Sequence, residues 1–70
     1  MKTYQIEIEN SEKVVIKRMS FQIDEGTAYA MFDEWTHRYD SSHTLELSDK
    51  RTGELLPWGQ VNGFEKWERV

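Results

Sequence analysis

Thr27-Ala-Tyr-Ala-Met-Phe-Asp-Glu-Trp-Thr-His-Arg-Tyr39 is the stretch that decides the fold. At 3.6 residues per turn it gathers Ala28, Phe32, Trp35 and Tyr39 on one apolar face, so the spacing predicts an amphipathic helix. Tyr29 falls off that stripe. Asp24 or Thr27 can cap the N-terminus, and Gly26 suits the turn into it. On the outer face Asp33 precedes His37, and Glu34 precedes Arg38, each by four residues. That order stabilises a helix by roughly 0.2–0.5 kcal/mol per pair. The helix is expected to end near Asp40-Ser41-Ser42, where short polar side chains compete for backbone hydrogen bonds.

The chain alternates on both sides of this helix. Tyr4, Ile6 and Ile8 lie against Gln5, Glu7 and Glu9, the pattern of a strand with one apolar and one acidic face. Asn10-Ser11-Glu12-Lys13 carries turn chemistry. In the next run Val14 and Ile16 share one face and Met19, Phe21 and Ile23 the other. A bulge near Lys17-Arg18 would bring both sets to one side. Two separate strands, or a sheet covered on both faces, would also serve. After the helix, Leu45 and Leu47 point inward. Asp49 to Glu54 reads as a hairpin loop with Gly53 at a positive φ. Glu54 to Trp58 reads as the return strand, and Pro57 places it at an edge. Asn62-Gly63 is a type I′ turn signal that could return residues 64–70 as a fifth strand or leave them as a tail. The expectation is an α+β fold, one domain over residues 1–70. One helix packs on a four- to five-stranded, mainly antiparallel sheet in the order ββαββ, with room for a fifth strand.

Seventy residues allow one core, and so small a domain buries only about 60% of its unfolded surface. The chain has no cysteine, which excludes disulfides, thiolate metal sites and cysteine nucleophiles. Without such staples a cytoplasmic location is expected. Acids interrupt the N-terminal stretch, so no signal peptide or membrane span is read there. The net charge is −4, with acids and bases interspersed. Such a balance disfavours nonspecific nucleic-acid binding.

The candidate chemistry is thin. His37 and His43, with Asp33, Asp40 or Asp49, match no zinc spacing, so no metal is expected. Asp40, Ser41, Ser42 and His43 are sequence neighbours in a polar loop. Catalytic triads assemble instead from distant segments. No glycine-rich phosphate loop is present. The expectation is a protein that is not an enzyme and carries no cofactor.

Binding residues are better represented. Glu7 and Glu9 repeat at roughly 6.8 Å along one strand face. Glu46 extends that row if the sheet brings it close. Trp and Tyr dominate binding hot spots, which makes Tyr29, Trp58 and Trp67 candidates where they are exposed. Trp35 is expected in the core, and Trp58 is placed there too. The alternative set is Lys17, Arg18, Lys50 and Arg51, which could grip single-stranded nucleic acid beside an aromatic ring. Pairing of an edge strand with a second copy would give a homodimer.

Ala28, Phe32 and Trp35, followed by Leu45-Glu-Leu-Ser-Asp49 and Thr52-Gly-Glu54, resemble small orphan proteins of phages and prophages. In those a helix precedes a glycine-containing hairpin. The resemblance covers about half of the chain. Some phage proteins of this size are anti-defence inhibitors, including anti-CRISPR proteins. It implies an accessory protein that acts by binding a protein partner, such as host nucleic-acid-handling or defence machinery. The function expected from the whole is a small acidic, non-catalytic module that occludes a partner's surface.

Overall fold

The computed structural model describes residues 2–62. Its elements are β1 (Lys2–Glu9), β2 (Val15–Ile23), α1 (Glu25–Thr36), β3 (Thr44–Asp49) and β4 (Leu55–Asn62). The strands form one antiparallel sheet in the order β2-β1-β3-β4, so two hairpins join through their first strands. The expected fifth strand over residues 64–70 and the candidate Trp67 lie outside the described residues.

The alternation sorts the sheet into two faces. Tyr4, Ile6 and Ile8 of β1 and Leu45 and Leu47 of β3 are buried under α1, which contributes Ala28, Tyr29 and Phe32. Met19, Phe21 and Ile23 of β2 pack against this core from one side, and Val61 of β4 also joins it. The helix covers one face only. Gln5, Glu7 and Glu9 and their cross-strand partners occupy the other.

Asp24 is the helix cap, and its Oδ1 accepts the Thr27 N–H at 3.0 Å. The helix is shorter than the sequence suggests, with His37 as its C-cap. The β-branched Thr36 donates its hydroxyl to the Asp33 carbonyl at 2.6 Å. His37 and Arg38 then bond three residues back, to Glu34 and Trp35, which tightens and closes the last turn. Tyr39 lies beyond the helix but stays half-buried, its ring 6.4 Å from that of Trp35. Trp35 is half-buried at the core margin, with Lys17 and Arg38 lying over its ring at 5.1 and 4.3 Å.

The bulge in β2 sits at Ile16. Ile8 pairs with Lys17, but Glu9 pairs with Val15, so Ile16 is the extra residue. The bulge brings Met19, Phe21 and Ile23 onto the core. It does not bury Val14 and Ile16, which remain 53% and 49% exposed.

Both loops follow their turn residues. Asn10 Oδ1 accepts from the N–H groups of Glu12 and Val14, and Lys13 takes φ 62°. In the second loop Gly53 takes φ 77° and donates to the Asp49 carbonyl at 2.7 Å.

Strand β4 departs most from expectation. Glu46 pairs with Gln60 and Ser48 with Leu55, so Leu47 alone faces the four residues Leu56 to Gly59. Trp58, expected in the core, has φ 66° at this excursion and is 49% exposed. Tyr29, off the apolar stripe in sequence, is buried, and its hydroxyl donates to the Pro57 carbonyl at 2.6 Å. The helix thus fastens the bulge from inside. Tyr29→Phe should cost about 1 kcal/mol in chemical denaturation, the worth of one net hydrogen bond. An unchanged midpoint would mean that this bond does not hold the bulge.

Candidate functional site

The face that α1 leaves open is ordered by the strand register. Its central row runs Arg18, Glu7, Glu46, Gln60 across the four strands. Glu9 lies two residues from Glu7, paired with Thr44 on one side and Val15 on the other. The row toward the hairpin tip is Ser20, Gln5, Ser48, Leu55. Directly opposed residues in an antiparallel pair point the same way, so Glu7, Glu9 and Glu46 form one continuous acidic patch.

Its polar contacts are specific. Glu7 Oε1 is 3.3 Å from Arg18 Nε and accepts from Gln5 Nε2 at 3.0 Å. Glu46 Oε2 accepts from Gln60 Nε2 at 3.3 Å. No basic residue stands opposite Glu46 in the register: its cross-strand partners are Glu7 and Gln60. Partial burial, then the charges of Glu9 and Glu7, push the Glu46 carboxyl above its ordinary value, while the Gln60 bond opposes them.

The sign of the pH effect follows. A carboxyl raised on folding contributes stability below its unfolded value of 4.5, and that contribution is lost as pH rises through the folded value. Glu46→Gln should therefore stabilise the protein at neutral pH, by about 0.5 kcal/mol for removing like charges across strands. The gain should vanish below 4.5. Denaturation midpoints across this range check it, and a midpoint lowered at neutral pH would contradict it.

Of the aromatic candidates, Trp58 is exposed in the edge strand β4, and Leu55 of the same strand is 47% exposed. Tyr29 is withdrawn from the candidate surface because its ring is buried and its hydroxyl is bonded to Pro57.

The basic set does not gather. Arg18 lies on the open face, committed to Glu7. Lys17, its neighbour, lies on the other side over Trp35. Lys50 and Arg51 are at the exposed hairpin tip, and Lys50 Nζ donates to Ser20 Oγ at 3.1 Å. Arg18 is thus committed to a carboxylate and the other three cations are spread over the far side and the hairpin tip, unlike a groove that tracks a phosphate backbone.

The Asp40–His43 turn is built from local bonds. Asp40 Oδ1 accepts from the Ser42 hydroxyl, from the Ser42 N–H at 3.0 Å, and lies 2.9 Å from His43 Nδ1. These bonds, Ser42 hydroxyl first and His43 next, hold the Asp40 carboxyl down to about 2. Ser42 Oγ also meets Nδ1 of His43, at 3.1 Å. A proton relay needs the two ring nitrogens for two different partners. Here both partners converge on one nitrogen, so the turn is not arranged as a relay. Among the described residues no three His, Asp or Glu converge as metal ligands, and no helix is long and apolar enough to cross a membrane.

The chain matches no protein-family model, no curated protein and no solved structure.

Proposed function

We propose that this protein is a small acidic binding module without catalytic activity. It lays the open face of its sheet over a basic surface of a partner protein and occludes it. One observation carries this reading: the register sets Glu7 directly opposite Glu46, with Glu9 beside them, on the face the helix leaves uncovered. Like charges held in that arrangement cost folding energy, and a cationic partner would relieve the cost. Trp58 supports the same reading. A bulky residue at positive φ is strained and exposed, a combination that folding alone does not favour. As an exposed aromatic on the strand next to that of Glu46, it has a use in binding. The resemblance to small phage proteins gives this binding an inhibitory or accessory role, directed at nucleic-acid-handling or defence machinery whose working surfaces are basic.

The test is capture from bacterial lysate by the tagged wild type and by a Glu9→Lys/Glu46→Lys variant shown to be folded. Glu7 is spared because it pairs internally with Arg18. A stoichiometric protein captured by the wild type despite nuclease, and lost by the variant, is the expected result. Equal capture by both proteins, or capture abolished by nuclease, would overturn the proposal.

A further inference from the structure

The two edges of the sheet are not equivalent. Strand β4 is interrupted by Pro57 and by the four-residue excursion opposite Leu47, both of which discourage a further strand. Strand β2 is nine residues long and ends the sheet on the other side, with no strand on its outer edge among the described residues. Across its start three consecutive apolar residues are exposed: Val14, just before the strand, at 53%, Val15 at 38% and Ile16 at 49%. Solvated apolar residues beside an unpaired strand edge form a template for strand addition.

Charge selects the occupant. Residues 13–23 hold Lys13, Lys17 and Arg18 and no carboxylate, within a chain whose net charge is −4. A second copy paired through β2 would set this basic strand against itself. The inner neighbour of β2 shows what the strand accepts: β1 alternates Ile6, Glu7, Ile8 and Glu9, and Glu7 bridges to Arg18 at 3.3 Å. Lys17 also guards the edge against uncharged apolar strands, which favours an acidic one, while the single-residue bulge at Ile16 interrupts this edge less than the four-residue excursion interrupts β4.

We propose that the outer edge of β2 takes up an extended segment of a partner protein, in which apolar and acidic residues alternate, as an additional strand. This site is the outer backbone edge of β2 and not the Glu7, Glu9 and Glu46 patch, and either can fail without the other.

The probe is a synthetic peptide with the sequence of residues 2–9, compared with one carrying lysine in place of both glutamates. Binding is followed by fluorescence anisotropy, and its location by amide hydrogen exchange. The acidic peptide should bind, slow exchange at Val15 to Met19, and weaken with salt. The lysine peptide should bind about fivefold more weakly, the consequence of reversing one cross-strand charge pair, that with Arg18. Equal binding of the two peptides, no binding of either, or protection at β4 would overturn the proposal. So would concentration-dependent protection of β2 in the protein alone, which would assign the edge to a second copy.

Discussion

Gly59→Ala is expected to lower stability by about 3 kcal/mol or more, a severe loss in a chain of this size. The reason is the close approach of two backbones. A Cβ at Gly59 would collide with the Leu47 carbonyl oxygen, lie 2.7 Å from the Leu56 carbonyl oxygen and 3.0 Å from the Leu56 nitrogen. All three are main-chain atoms, and Leu47 belongs to a central strand and is fully buried. None can swing aside as a flexible side chain would. The β4 excursion would have to reopen, drawing Leu56 out of the core and breaking the Tyr29–Pro57 bond. A domain of 70 residues has a total stability of about 4–10 kcal/mol, so the loss removes a large fraction of it. Gly26→Ala is the matched control. Nothing lies within 4 Å of its added methyl group, and it sits in the first turn of α1. It should be neutral or stabilise by up to about 1 kcal/mol. Urea denaturation of the two variants checks both signs. Equal midpoints would mean that Gly59 does not lie against Leu47 as described.

Phe32→Ala should be the most damaging truncation of the helix, at about 3–5 kcal/mol. Phe32 is fully buried and is the largest of the completely enclosed side chains. The core beneath it is supplied by short strands, and its members Ile6, Ile8, Leu45 and Leu47 are already fully enclosed. They have little freedom to collapse into the space. Trp35→Ala provides a comparison, since Trp35 is only half-buried and shares its ring with Lys17 and Arg38. A larger loss at Trp35 than at Phe32 would place the centre of the core elsewhere on the helix.

Much of this architecture is legible in the chain because simple periods govern it. Ala28 and Phe32 are spaced for a helix and are both buried; Tyr4, Ile6 and Ile8 are spaced for a strand and are all buried. Gly53 marks its own turn. What periodicity misses comes from tertiary contacts. Tyr29 is off the stripe in a helical projection, but the β4 bulge rises to meet it, and only the folded sheet supplies the Pro57 carbonyl. Trp58 alternates like a core residue until the bulge adds residues opposite Leu47 and rotates it outward. The Pro57-Trp58-Gly59 tripeptide held that signal, since proline and glycine flank irregular strand geometry. Helix α1 stops before its apolar pattern does, because Thr36 diverts a carbonyl. In the candidate site the spacing of Glu7 and Glu9 shows in the sequence, but the pairing of Glu7 with Glu46 does not. Register is a property of two strands, and neither one alone specifies it.

The central claim is that the open acidic face binds a basic protein surface. Its most direct test is the dissociation constant of the captured partner for wild type and for Glu46→Lys, each measured at low and high salt. Glu46 has only Glu7 and Gln60 as cross-strand partners, so reversing its charge leaves the Glu7–Arg18 bridge in place. The expected result is weaker binding by about tenfold or more at low salt, with the difference shrinking as salt screens the face. The same dissociation constant for both proteins at every salt concentration would contradict the claim.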